Sequence, residues 1–142
     1  MFDWESFLQS AGDAIVVATP AGRIVFWNPA AQRIFGFTAE EAVGRPLDII
    51  IPERFRQRHW AAYEKVMASG KTRYGADVLR VPALHKDGRS LSIAFSVALL
   101  LSSDHKVEAI TAIIRDETAR WNEERELRRR LTELEEQMKN KP

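Results

Sequence analysis

The order of β-type and helical segments is the feature that most constrains the fold of this chain. Two runs rich in β-branched and aromatic residues come first, and three more follow a helical middle segment. The predicted strands span residues 14–19, 23–28, 72–83, 90–101 and 107–115. Because short turns join neighbouring strands within each group, we expect antiparallel pairing. The pattern therefore predicts an α+β domain, a five-stranded antiparallel sheet with its helices inserted after strand two.

Capping residues delimit the helical middle segment. Asn28 is a suitable cap for a helix that has Pro29 in its first turn. Thr38 and Glu41 have the spacing of a capping box, which predicts a second short helix. A longer amphipathic helix is predicted from residue 53 to about residue 69. We expect these helices to cover one face of the sheet and to enclose a cavity.

The N-terminal residues predict a short amphipathic helix. Trp4, Phe7 and Leu8 are bulky and follow one another at helical spacing. Side chains of this size need a cover. We expect them to pack on the domain's own sheet, and the alternative is that they form part of a dimer contact with a second chain.

The C-terminal residues predict a helix that pairs with another helix. An apolar residue recurs at intervals of four, three and four positions, with charged residues between. The seam consists of Leu127, Leu131, Leu134 and Met138. We expect a coiled coil in a homodimer, its parallel or antiparallel orientation left open, and the alternative is a helix folded onto its own sheet.

The predicted organisation is a cap helix (1–12), a domain (13–116) and a signalling helix (117–142).

Composition narrows the possible functions. The 21 basic and 20 acidic residues nearly cancel, which argues against direct binding of nucleic acid through a basic face. The absence of cysteine excludes disulfides, thiolate metal sites and cysteine nucleophiles. The N-terminus does not resemble a signal peptide and no apolar run is long enough to span a membrane, so we expect a cytoplasmic protein.

Motifs for catalysis are missing from the sequence. There is no glycine-rich phosphate loop, no convincing Ser-His-Asp order and no pair of metal-binding carboxylates. We therefore expect a binding module rather than an enzyme.

Short motifs along nearly the whole chain, from about residue 5 to 118, resemble the PAS domain, a sensory module of signalling proteins, in its S-box form. They lie at residues 13–17, 22–31, 34–41, 43–47, 51–56 and 86–90. Asp116 and Thr118 resemble the Asp-x-Thr junction at which PAS sheets pass into a signalling helix. The resemblance implies a module that binds a small ligand and relays a change through a dimeric C-terminal helix to an output domain or a separate partner.

A more distant resemblance concerns the haem-binding PAS domains of rhizobial oxygen sensors. Their axial histidine lies on the long helix, and His59 occupies that position here, so the resemblance implies an iron ligand for haem b. The acidic residue that follows that histidine is replaced by Trp60. The distal arginine of these sensors corresponds to Leu79 or Arg80. Their cavity-facing aliphatic residues correspond to Phe95 and Val97.

Other ligands stay open at this point. Light-sensing PAS domains need an Asn-Cys pair where this chain has Pro46 and Leu47, so a covalent flavin adduct is excluded. A non-covalent flavin or a small organic ligand needs an apolar slot with a few polar anchors, for which Tyr63, Tyr74 and Arg80 are candidates. The alternatives to a ligand-binding sensor are a ligand-free dimerisation or protein-interaction module and a haem-based gas or redox sensor.

Overall fold

The computed structural model, which describes residues 1–72 and 77–141, contains a five-stranded antiparallel sheet with the strand order β2-β1-β5-β4-β3. The strands are β1 (Ala14–Ala18), β2 (Ile24–Trp27), β3 (Leu79–Leu84), β4 (Ser90–Leu101) and β5 (Val107–Asp116). All neighbouring strands pair antiparallel. The predicted α+β class, the five strands and the insertion of helices after the second strand are confirmed.

The edge strand β3 is shorter than predicted. It begins at Leu79, and Thr72, Asp77 and Val78 lie outside it, while residues 73–76 of the prediction fall outside the described part. The reason lies in the pairing. Leu79 is the first residue of β3 to pair with β4, where it lies opposite Phe95, and an edge strand has no second neighbour to extend it.

In the described part of the chain, five α-helices and one 3₁₀ turn accompany the sheet. They are α1 (Trp4–Ser10), α2 (Pro29–Phe35), α3 (Ala39–Ala42), the 3₁₀ turn Leu47–Ile50, α4 (Glu53–Ser69) and α5 (Thr118–Lys139). The predicted capping box is present, because Thr38 accepts from the Glu41 N–H and Glu41 accepts from the Thr38 N–H. The predicted bounds of α4 are also confirmed. This helix ends at Gly70, whose φ of 67° favours glycine.

The hydrophobic core lies between the inner face of the sheet and the inserted helices. Alternate strand residues such as Val16, Ile93 and Ile114 point into it, which follows from the two-residue period of a strand. Two helical contributors are Ala31 and the fully buried Phe35 of α2. The core therefore fixes α2 on the sheet.

The side chain of Asn28 bonds to four backbone groups in three segments of the chain. Its Oδ1 accepts hydrogen bonds from the backbone N–H of Ile15 at 2.9 Å and of Ala31 at 3.0 Å. Its Nδ2 donates to the carbonyl oxygens of Leu8 and Asp13, each at 3.1 Å. The residue is 1% exposed. The predicted helix cap is thus confirmed, and the same amide also connects α1 and β1 to the start of α2.

The two terminal helices leave their large apolar side chains exposed. The expectation that α1 covers the sheet is wrong, because Trp4 and Phe7 are 69% and 54% exposed. Helix α1 lies against α2 instead, where Asn28 holds the backbone of Leu8. The leucines of α5 are 57–62% exposed, so this helix does not fold onto its own sheet.

We predict that Asn28→Asp lowers the free energy of unfolding by at least about 2 kcal/mol, because a carboxylate cannot donate to the two carbonyl oxygens and leaves buried polar groups unpaired. Urea denaturation measures the change. Asn122→Asp on exposed α5 is the matched control and should change stability by less than about 0.5 kcal/mol. Equal losses in the two variants would contradict the joining role of Asn28.

Candidate functional site

One face of α4 carries a cluster of three aromatic rings. The His59 and Trp60 rings lie 4.8 Å apart between centroids, and His59 lies 5.6 Å from Tyr63. The Trp60 and Tyr63 rings are 5.2 Å apart. Tyr63 is buried, and the other two side chains are half-buried. Two of the residues predicted for ligand binding, His59 and Tyr63, therefore lie together.

The polar atoms of two of these rings are used to dock α4. The Trp60 indole N–H donates to Asp48 of the 3₁₀ turn at 2.6 Å, and the Tyr63 hydroxyl donates to the Thr19 carbonyl at 2.5 Å. Burial raises the pKa of Tyr63 to about 12, so the hydroxyl stays protonated. Gly22, with φ of 84°, lies against the Trp60 ring, where a Cβ would overlap the indole. These contacts fix α4 on the β1–β2 turn.

His59 differs from Trp60 and Tyr63 because its ring nitrogens do not help to dock α4. Its Nδ1 is buried and makes no hydrogen bond, and no bond from either ring nitrogen is present among the described residues. Burial lowers the pKa of His59, and the charge of Asp48 offsets part of this effect. The side chain is therefore a neutral imidazole that is held by packing, and its buried Nδ1 lacks a hydrogen-bond partner among the described residues.

The remaining predicted site residues fall into separate groups. Leu79 lies opposite Phe95, and Val97 follows two positions later, so all three belong to the inner face of the sheet. Arg80 belongs to the opposite face by the same alternation. It lines an outer pocket of about 360 Å³. Tyr74 lies outside the described residues. Of the two sequence positions considered for the distal arginine, the inner one is therefore Leu79.

The junction between β5 and α5 is anchored to β4 through Ser92. The Ser92 N–H donates to Thr118 Oγ1 at 3.0 Å, and the Glu117 N–H donates to the Ser92 carbonyl at 2.8 Å. Asp116 accepts from both the N–H and the hydroxyl of Thr118, at 2.9 and 2.5 Å. The first turn of α5 therefore moves with β4 unless these bonds break.

An open groove of about 510 Å³ lies beside this junction, between the β3 edge and the base of α5. Its arginines are Arg54, Arg80, Arg120 and Arg125, and Trp121 forms part of the wall. The Arg125 guanidinium lies 5.2 Å from the Trp121 ring centroid. The base of α5 is therefore open to solvent on this side.

Sequence reasoning did not identify the partners that hold the site together. Asp48 and Thr19 bind the rings of α4, and Ser92 anchors the junction. Each lies 12 or more positions from its partner, and polar residues at turns and strand starts are common. No local signal marks them.

Within residues 1–72 and 77–141, no helix is long and apolar enough to cross a membrane. The same residues contain no group of three or more histidine and carboxylate side chains that could hold a metal ion.

Comparison with known families and proteins gives consistent matches. The family model described as PAS fold matches residues 3–116. An uncharacterized protein of Azorhizobium caulinodans is 32% identical over 128 residues, which are 87% of this chain and 17% of that protein. The sensor protein FixL of Bradyrhizobium diazoefficiens is 26% identical over 94% of this chain and 25% of its own length. The oxygen sensor protein DosP of Escherichia coli is 29% identical over 66% of this chain and 11% of its own length. The chain thus spans a quarter or less of these curated relatives.

Solved structures show the same fold. The PAS domain of a Colwellia psychrerythraea protein superposes with a TM-score of 0.71 at 22% identity, covering 82% of this chain and 95% of that one. An RNA-binding light-oxygen-voltage receptor gives a TM-score of 0.74 at 21% identity, covering 91% of this chain and 36% of that one. At these identities the likeness concerns the fold.

We predict that His59→Phe reduces the loss of stability on acidification. The pKa of His59 is below its ordinary value of 6.5 in the folded protein, so unfolding takes up a proton as pH falls below that value and the wild type loses stability there. Urea denaturation at about pH 7.5 and about pH 5.5 should show a smaller loss in the variant. His105→Asn, at an exposed histidine with φ of 61°, should keep the wild-type slope. An unchanged slope in His59→Phe would contradict the burial of a neutral imidazole.

We predict that Thr118→Val speeds hydrogen exchange at the Ser92 amide and in the first turn of α5, because that amide loses its acceptor. The amides of β1 should exchange as in the wild type. Thr132→Val is the control, since the Thr132 hydroxyl donates only to the Arg128 carbonyl within α5. Wild-type exchange at Ser92 in the Thr118 variant would show that the junction does not hold α5.

Proposed function

Because the chain belongs to the PAS family of sensory domains, we propose that it is a signalling module that binds a small organic ligand beside His59 and relays binding to α5. The observation that carries this proposal is the buried His59 nitrogen without a hydrogen bond. Buried polar groups are nearly always paired, and an unpaired one destabilises the fold. A ligand with a complementary polar atom would remove that cost.

The surroundings of His59 favour an aromatic or otherwise planar ligand. The rings of Trp60 and Tyr63 offer stacking surfaces, and their own polar atoms are already bonded. We propose that Phe95 and Val97, which are half-buried on the inner face of β4, supply the apolar part of the site. A largely apolar pocket with one oriented polar group is typical of small-molecule sites. A non-covalent flavin belongs to the same class of ligand.

The proposed relay runs along β4. This strand carries Phe95 and Val97 on its inner face, and its residue Ser92 holds the junction with α5. A ligand shifts an equilibrium only if it binds one state better than the other. The two states that we propose differ in the bonds of Ser92 to Glu117 and Thr118, because these bonds couple the position of β4 to the direction of α5.

We further propose that the output is read in a homodimer formed through the terminal helices. Their exposed apolar residues need a cover that a second copy would supply. The exposed residues are Trp4, Phe7, Leu127, Leu131, Leu134 and Met138, and the half-buried Leu8 adjoins them on α1. The receiver of the signal is either an output domain or a separate protein, since the curated relatives are much longer than this chain. Neither nucleic acid nor a membrane is required.

Haem is the second candidate ligand, and the likeness to an oxygen sensor protein favours it. The residues present fit it poorly. A histidine that binds a metal almost always donates its other ring N–H to a carbonyl or carboxylate, and His59 has no such acceptor among the described residues. We therefore rank an organic ligand above haem.

Native mass spectrometry and thermal unfolding of the purified chain test the proposal. We expect either a co-purified small molecule or a rise in melting temperature with one of three probes, namely flavin mononucleotide, indole or benzoate. The effect should disappear in His59→Phe and persist in His105→Asn. Addition of haemin is the fourth arm, and a Soret band that requires His59 would establish the haem alternative. If no molecule co-purifies and no probe changes the melting temperature, the ligand-free interaction module replaces the proposal.

A further inference from the structure

The groove beside the β5–α5 junction has more positive than negative charge. Four arginines line it, whereas Glu117 and Glu124 are the acidic residues that line it within the described part of the chain. Both carboxylates pair with Arg120, Glu117 at 3.7 Å and Glu124 at 3.3 Å. The charges of the other three arginines are therefore not neutralised by the carboxylates of the groove.

The three remaining arginines are Arg54, Arg80 and Arg125, and all of them are exposed. None forms an ion pair with another residue that the structure describes. The guanidinium of Arg54 lies 4.7 Å from the Phe55 ring centroid, and that of Arg125 lies over the Trp121 ring. Such ring contacts orient a guanidinium but leave its N–H donors at the rim without an anion. The groove therefore presents three cations that are available to an acidic partner.

Exposed apolar surface lies next to these charges. Trp121 is 48% exposed and Val81 is 38% exposed, and both line the groove. Trp121 precedes Leu127 by six residues, which places it about 120° around α5 from the leucine seam. The seam therefore does not account for the exposure of Trp121. Tryptophan and arginine are the residues that most often carry the binding energy of protein interfaces.

The distribution of the cations favours an acidic chain over a single small anion. Arg54 and Arg80 come from α4 and β3, whereas Arg125 comes from α5, so the charges approach the groove from different elements. Exposed ion pairs contribute little singly, whereas several carboxylates on one chain bind with the advantage of their covalent connection. A nucleotide is typically held by the backbone N–H groups of a glycine-rich loop, and the sequence has no such loop.

We infer that this groove docks an extended acidic segment of a partner protein. Carboxylates of the segment pair with Arg54, Arg80 and Arg125, and an apolar side chain of the segment packs on Trp121 and Val81. The charge complementarity makes the contact specific for acidic sequences and sensitive to salt.

The same groove contains the residues that anchor α5. Ser92, Glu117 and Thr118 line it, and their hydrogen bonds join β4 to the first turn of α5. A segment that contacts both β3 and α5 spans this junction, so it binds best to the state in which these bonds are intact. This coupling rests on the proposed relay, whereas docking itself requires no ligand at His59.

Fluorescence anisotropy of a labelled peptide tests the docking. The probe is a peptide of about ten residues with glutamates on either side of a central Leu-Phe pair, and the control peptide has lysines in place of the glutamates. We expect the full chain to bind the glutamate peptide at least about tenfold more tightly, and the affinity to fall as sodium chloride rises from about 50 to about 500 mM. Equal affinity for the two peptides would overturn the inference.

Charge reversal tests the location of the contact. Arg80→Glu and Arg125→Glu should each weaken binding of the glutamate peptide by about fivefold or more, because each replaces an attraction with a repulsion. Arg128→Glu is the matched control, since Arg128 is an exposed arginine of α5 that does not line the groove. It changes the net charge equally and should keep the affinity within about twofold. An equal loss in Arg128→Glu would show binding to net charge alone and overturn the assignment.

The apolar contact and the nucleotide alternative have their own measurements. Trp121→Ala should weaken binding of the peptide by about threefold or more, and near-UV circular dichroism verifies that each variant keeps its folded domain. ATP should bind at least about tenfold more weakly than the glutamate peptide. Binding of ATP that requires Arg80 and Arg125, without binding of the peptide, would overturn the inference in favour of a nucleotide.

Hydrogen exchange tests the coupling to the junction. The glutamate peptide should slow exchange at the Ser92 amide, and unchanged exchange in the bound state would overturn the coupling. His59→Phe should bind the peptide as the wild type does, because the groove does not include His59. Failure of the small-molecule probes at His59 would therefore leave peptide binding unchanged, and failure of peptide binding would leave the His59 result unchanged.

Discussion

The side-chain amide of Asn28 is the interaction on which the arrangement of the domain depends. Its four hydrogen bonds connect α1, the entry to β1 and the first turn of α2 at a single buried point. Because both donors and two acceptor positions are used, no other side chain of similar size can replace it. The start of α2 that this amide fixes leads into the helix that packs on β1 and β5 and contributes Ala31 and Phe35 to the core.

The attachment of α4 determines where His59 lies. Trp60 and Tyr63 hold this helix to Asp48 and Thr19, so the position of His59 follows from bonds that the histidine does not make. A ring that is placed by its neighbours keeps its own hydrogen-bonding capacity for a ligand. This division between docking residues and an uncommitted residue is the physical basis of the proposed site.

Local chemistry made much of the fold predictable. The Asn28 cap, the Thr38–Glu41 capping box and the bounds of α4 depend on residues a few positions apart, and the sequence contains all of them. Predictions that required long-range knowledge were less successful. The packing of α1 was wrong, because aromatic residues indicate a need for cover and not which surface provides it. The contacts of His59 and the anchor of Thr118 could not be predicted, since they depend on how distant loops meet.

The length of α5 has a mechanical consequence. Its 22 residues extend about 33 Å from the sheet. A rotation of the helix axis by about 10° at the anchored first turn would displace the far end by about 6 Å, close to the rise of one helical turn. The hydrogen bonds of Ser92 therefore act as the fulcrum of a lever. A shift of less than 1 Å in the strand that carries them would be magnified several-fold at the far end of α5.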